Sequence, residues 1–186
     1  MDFTLTQAQQ DLGALAREIL ADQCTPQRLR EIEAGDIRFD PVLWAALARA
    51  GVLSAALPES AGGDGLGLLE QCAVLAEIGR AVAPAPYLAT IVLGAAALAR
   101  FGTGGQRERW AAPAARGELI IAAALAEADA DDPAVPSTRA DETGNGWLLT
   151  GAKTAVLAGA HAELLLVPAG NLTGPEIGRA SCRERV

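Results

Sequence analysis

The sequence predicts an α+β chain: an all-α helical bundle domain followed by an incomplete antiparallel β domain. Three observations carry this. Apolar residues recur at helical spacing from Thr6 to about Ala115. The spacing changes near Gly117, and Gly144-Asn145-Gly146 then separates two short segments of strand character, Thr138-Glu142 and Trp147-Thr150.

The helices are justified in order. Thr6 followed by Gln9 is a capping-box signature, after which Leu12, Leu15, Ala16, Ile19 and Leu20 share one face. Thr25-Pro26 opens a shorter helix, since proline suits a first turn. Pro41 to Ala50 carries Val42, Leu43, Trp44 and Leu47 and stops at Gly51. Leu66 to Val82 exposes little beyond Glu70, Gln71, Glu77 and Arg80, and Tyr87 to Phe101 offers only Thr90 and Arg100 as polar positions. Helices this apolar must be covered almost all round, which predicts burial against another domain or subunit.

Past Gly117, "ELIIAAALA" reads as a buried strand, although periodicity alone leaves a short helix open. An acidic, proline-broken loop (Glu127 to Pro136) leads to a hairpin across Gly144-Asn145-Gly146, and a further apolar run, Glu163 to Val167, ends at Pro168. The expected divisions are a helical domain over residues 1–117, a truncated β domain over 118–170, and a tail over 171–186. The tail, "NLTGPEIGRASCRERV", has no period and no core positions, and reads as non-native sequence or as a short disordered tail. A sheet that stops as it begins leaves uncovered edges, so truncation is expected.

A formal charge of −8 and a single lysine, Lys153, speak against a nucleic-acid surface. The start, "MDFTLTQAQQ", lacks the charged and apolar regions of a secretory signal, and Tyr87 to Ala99 is too short to cross a bilayer. Cys24, Cys72 and Cys182 have no metal-ligand spacing and cannot all pair. Free thiols in the cytoplasm are expected.

"LPESAGGDGLGLLEQCAVLAEIGR", residues 57–80, raises the question of a phosphate loop. A Walker loop needs a lysine and a hydroxyl after its last glycine, where Leu68 and Leu69 stand. A dinucleotide fingerprint must follow a strand, and here a helix precedes. The glycines are expected to turn the chain.

That same segment closely resembles the proline–acid–Gly-Gly–Gly stretch between helices of acyl-CoA dehydrogenases. The resemblance continues through "FGTGGQRERWAAPAARGELIIAAALAE" and "GWLLTGAKTAVLAGAHAELLLVPA", and so covers nearly the whole chain to about Gly170. It implies an N-terminal helical domain, a middle β domain and a C-terminal four-helix domain, with FAD as cofactor. It also implies oxidation of acyl-CoA to 2-enoyl-CoA, association with like or unlike acyl-CoA dehydrogenase subunits, and electron-transfer flavoprotein as a partner. The family's base is a glutamate of the C-terminal domain, so no catalytic residue is assigned here and this stretch alone is expected to be inactive.

The resemblance places flavin-facing residues at Leu125, Ala126, Asp131, Asp132, Ala155 and Leu157. Where the family often has Leu-Thr-Glu-Pro, this chain has Leu125-Ala126-Glu127-Ala128; where it has Ala-Gly-Ser-Asp, this chain has Ala130-Asp131-Asp132-Pro133. Lys153-Thr154-Ala155-Val156-Leu157 replaces a lysine-led run whose tryptophan and hydroxyl pack on the isoalloxazine. Two functional expectations follow: a flavin-dependent dehydrogenase, or a non-catalytic partner subunit with a degraded FAD site. The remaining candidates have plain readings. His161 is structural or on the surface, Asp129, Asp131 and Asp132 form a solvated turn rather than a metal site, Trp110 and Trp147 pack in the core, and Arg107 and Arg109 lie on a solvated helical face.

Overall fold

In the computed structural model, residues 4–130, 132–144 and 146–170 are described. The chain divides into two compact units, Met1–Glu118 and Leu119–Val186. The tail over 171–186, together with Asp131 and Cys182, lies outside the described residues.

The first unit is helical. α1 spans Gln7–Gln23 and begins with the expected capping box: Gln9 N donates to Thr6 Oγ1 at 3.3 Å, and Thr6 N donates to Gln9 Oε1 at 2.9 Å. Its inner face carries Leu12, Ala16 and Leu20, while Leu15 stays partly outside. α2 (Pro26–Ala34) starts at the Thr25 cap, and α3 (Pro41–Arg49) starts at Asp40, whose carboxylate accepts from Val42 N at 2.9 Å. The same carboxylate takes Arg28 Nε at 2.6 Å and Nη2 at 2.8 Å, which ties α2 to the start of α3. Leu43, Trp44 and Leu47 fill the core beneath. α4 spans Leu68–Arg80. A π-helical stretch, Leu88–Ala95, runs into α5 (Ala96–Phe101). α6 (Gly104–Gln106), π-helical Arg107–Ala111 and α7 (Ala112–Ala115) complete the unit.

α4 departs from the expectation at three of its four polar positions, Arg80 alone being exposed as expected and Val74 lying in the core. Glu70, Gln71 and Glu77 are buried, whereas Leu68 is 69% and Leu69 60% exposed. The partners lie on α1. Gln9 Nε2 donates to Glu70 Oε1 at 3.1 Å, and Arg17 donates to Glu77 through Nε at 3.0 Å and Nη2 at 2.8 Å. Arg80, one turn on from Glu77, pairs with the same carboxylate. Arg17, with Arg80 beside it, holds the Glu77 carboxyl down to about 2, against an opposing push from burial. A buried carboxylate is tolerated when it is paired and hydrogen-bonded, and hydropathy alone does not reveal the partner.

The glycine loop answers the phosphate question. Its glycine amides are already spent: Gly62 N donates to Glu59 O at 2.9 Å, Gly63 N to Pro58 O at 3.1 Å and Gly65 N to Leu57 O at 2.8 Å, and Leu66 N donates to Ala55 O at 3.1 Å. Gly67 N is taken by Glu70 Oε2 at 2.8 Å. A Cβ at Gly63 would stand 2.0 Å from Leu57 O, so the loop folds onto its own carbonyls too closely for any side chain there. The glycines turn the chain.

The second unit holds four short strands among the described residues: β1 (Ile121–Ala123), β2 (Arg139–Thr143), β3 (Gly146–Thr150) and β4 (Leu164–Leu166). β2 and β3 form the expected antiparallel hairpin, with Thr143 opposite Gly146 and Arg139 opposite Thr150. β1 and β4 pair in parallel instead, Ile121 opposite Leu164, as a long connection between strands permits. The apolar run after Gly117 is a strand, and its core residues Ile120, Ile121, Ala122 and Ala124 are buried. Trp147, expected in the core, is 45% exposed on the hairpin.

Candidate functional site

The candidate surface of the second unit is built where β1 runs out. Ala126 forms an isolated antiparallel bridge with Thr154, and Thr154 N donates to Ala126 O at 2.9 Å. Two segments 28 positions apart in sequence therefore lie side by side (126 against 154). Leu125 is 37% and Leu157 53% exposed. Ala155 and Ala158 sit in the left-handed region, at φ +50° and +57°. Asp132 Oδ1 accepts from Ala134 N at 2.9 Å, which makes a local turn in the acidic loop. Of the six residues assigned from sequence, Leu125, Ala126, Ala155 and Leu157 fall on these two neighbouring segments, Asp132 sits in the loop turn, and Asp131 lies outside the described residues.

Beneath this surface lies a cluster that the sequence reading missed. The Glu127 carboxylate accepts from Ser137 N at 2.6 Å, Ser137 Oγ at 2.7 Å, Thr138 N at 3.0 Å and the Thr138 hydroxyl. Lys153 Nζ stands 2.7 Å from its Oε1, with the two side chains 10% and 2% exposed. Lys153 first, then the Thr138 hydroxyl, hold this carboxyl well below the usual carboxylate range against the effect of burial. A carboxylate so fully engaged is not a proton acceptor near neutral pH. The signal available in the sequence was the chain's single lysine, which has to find an acid if it is buried.

The other candidates are placed as follows. His161 ends a 3₁₀ turn, Gly159–His161, and its N–H donates to Ala158 O at 3.0 Å. Arg107 is not merely solvated, since Nε and Nη2 donate to Gly102 O at 3.2 and 3.0 Å, and the Arg109 guanidinium lies 4.9 Å from the Trp110 ring centre. Among the described residues no group of His, Cys, Asp and Glu has metal-binding geometry, and no helix is long and apolar enough to cross a membrane.

The model of the acyl-CoA dehydrogenase N-terminal domain matches residues 6–118. The chain belongs to the acyl-CoA dehydrogenase family. Acyl-CoA dehydrogenase FadE27 of Mycobacterium tuberculosis is 45% identical over 177 residues, covering 95% of this chain and 46% of that protein. A chain of the ChsE4–ChsE5 complex of M. tuberculosis matches with a TM-score of 0.87 at 45% identity, covering 94% of this chain and 47% of that one. A chain of a variant of the steroid ACAD Tcur3481–Tcur3483 matches with a TM-score of 0.85 at 43% identity, covering 92% and 47%. In a second structure of that pair, the matching chain is only 26% identical, with a TM-score of 0.73. This chain spans about half the length of the relatives it matches.

The family implies FAD, and the donor set on the surface tests the fit. Leu125, Ala126, Ala155 and Leu157 carry no side-chain donor, and Asp132 adds negative charge where a diphosphate is expected. The Ser137 and Thr138 hydroxyls and the Lys153 ammonium all engage Glu127, Ser137 at an exposed position, while Thr154 presents an exposed hydroxyl beside Ala155. At the positions that the resemblance assigns to the flavin, the side chains of Leu125, Ala126, Ala155 and Leu157 offer the cofactor no hydrogen-bond donor.

Proposed function

We propose that this chain is part of a heteromeric acyl-CoA dehydrogenase, in which it is a non-catalytic partner subunit and an unlike chain holds the flavin. The assembly's reaction is oxidation of an acyl-CoA to its 2-enoyl-CoA. The FAD supplies the hydride acceptor, and this chain's part is to complete the shape of the assembly. The observation that carries the reading is the lack of side-chain donors at Ala126, Ala155 and Leu157, with the Ser137 and Thr138 hydroxyls spent on Glu127. Similarity to chains of two-component complexes supports it, and the steroid ACAD among them points to a steroid-bearing acyl-CoA as the substrate class.

The second reading, a flavin-holding dehydrogenase in its own right, is supported by the 45% identity to a protein named as an acyl-CoA dehydrogenase. Restoring the missing groups separates the two. FAD titrated onto the chain should show weak or no binding. The combined change Ala126→Thr, Ala155→Trp and Leu157→Thr should raise affinity at least about tenfold, the equivalent of about 1.4 kcal/mol. Tight binding by the unaltered chain would establish the second reading.

A further inference from the structure

The Glu127–Lys153 pair joins stretches of chain that the sequence keeps far apart. One carboxylate, 2% exposed, receives residues 137 and 138 through two amides and two hydroxyls, and the ammonium of residue 153 through an ion pair. The neighbouring residues on either side of this pin, Ala126 and Thr154, form the bridge that brings the two surface segments together. Gly151 makes the approach possible: a Cβ there would stand 2.5 Å from Thr138 Oγ1 and 2.8 Å from Thr138 Cα.

A surface organised by its ligand keeps donors for that ligand. In this surface the Ser137 and Thr138 hydroxyls and the Lys153 ammonium are engaged by Glu127, and of the outward positions Leu125, Ala126, Ala155 and Leu157 carry no side-chain donor, Thr154 being the exposed hydroxyl between them. We infer that Glu127 and Lys153 are positioning residues: they fix the wall made by Leu125–Ala126 and Thr154–Leu157 before any flavin or partner chain arrives. What docks on it rests on the partner-subunit reading, whereas the clamp itself is a property of this chain.

A buried ion pair specifies an arrangement more than it stabilises one, and removing a single member strands the other. That asymmetry separates positioning from general stability. Glu127→Gln or Lys153→Met alone should lower the melting temperature. The double variant Glu127→Gln/Lys153→Met should melt above the worse single variant but below the parent, because an amide nitrogen cannot accept the hydrogen bonds that one carboxylate oxygen takes from residue 137 or 138. Its Thr154 amide should exchange with solvent about tenfold faster or more. Lys153→Arg, which keeps the charge, should restore slow exchange. Exchange of Thr154 in the parent should be slow without FAD and unchanged by adding it.

Two results would overturn the clamp: parent-like Thr154 exchange in the double variant, or fast exchange in the parent that slows only when FAD is added. Flavin titration on the same samples reports separately on the partner-subunit reading. Tight FAD binding by a parent whose Thr154 is already protected would sink that reading and leave the clamp standing.

Discussion

Gly117→Ala tests the helical unit where its last turn meets its core. Gly117 has φ +72°, and a Cβ there would lie 2.8 Å from Ala48 Cβ, 3.3 Å from Leu53 Cδ1 and 3.4 Å from Trp44 Nε1. Left-handed backbone costs a non-glycine residue about 1–2 kcal/mol. Forcing a methyl into packed neighbours adds about 1–3 kcal/mol, because Leu53 and Trp44 are themselves buried and have little room to yield. The expected loss is therefore about 2–5 kcal/mol. Two controls divide the terms. Gly51 has φ +75° with nothing within 4 Å of its Cβ position, so Gly51→Ala should cost about 1–2 kcal/mol from backbone strain alone. Gly79, on α4, has open space and no positive φ, so Gly79→Ala should gain up to about 1 kcal/mol of helix propensity. Urea unfolding followed by tryptophan fluorescence would rank the three, and Trp44 beside Gly117 makes the probe local. If Gly117→Ala lost no more than Gly51→Ala, the contact term would be absent and the packing described at Trp44 and Ala48 would be refuted.

Further outcomes follow from the same contacts. Asp40→Ala removes both the α3 cap and the partner of Arg28, and should cost about 2–4 kcal/mol, against about 1 kcal/mol for Thr25→Ala at the α2 cap. Equal losses would mean that the Arg28 contact contributes nothing. The folded-state value of Glu77 is depressed, so its stabilisation is complete above the ordinary value of 4.5 and is lost as pH falls towards about 2. Glu77→Gln should therefore flatten the fall of stability across that acid window, and an unchanged slope would count against the Arg17 pairing. Leu69 is 60% exposed, so Leu69→Glu should change stability by less than about 0.5 kcal/mol in urea unfolding. A collapse of the fold would show Leu69 to be core.

The parts of the fold written in local rules were legible. Thr6 with Gln9, Thr25 with Pro26, the stop at Gly51 and the hairpin at Gly144-Asn145-Gly146 each depend on residues a few positions apart. Long-range pairing was not legible. Glu70 and Glu77 look like solvent-facing residues until α1 brings Gln9 and Arg17 against them, 61 and 60 positions away. The candidate surface shows the same division. Its six residues came from resemblance, whereas the cluster depends on Glu127 meeting Ser137, Thr138 and Lys153, which lie just beyond the two ends of the β2–β3 hairpin and which no local pattern brings to residue 127. Lys153 alone carried a hint, as the only lysine in an arginine-rich chain.

The most direct test of the partner-subunit account is the count of flavin per chain. The chain would be purified alone and, separately, co-expressed with an unlike acyl-CoA dehydrogenase chain that binds it. Flavin absorbance and chain mass are then measured on each sample. The account predicts no FAD on this chain alone, and FAD in the complex equal in number to the unlike chain only. One FAD for every copy of this chain, in either sample, would contradict it.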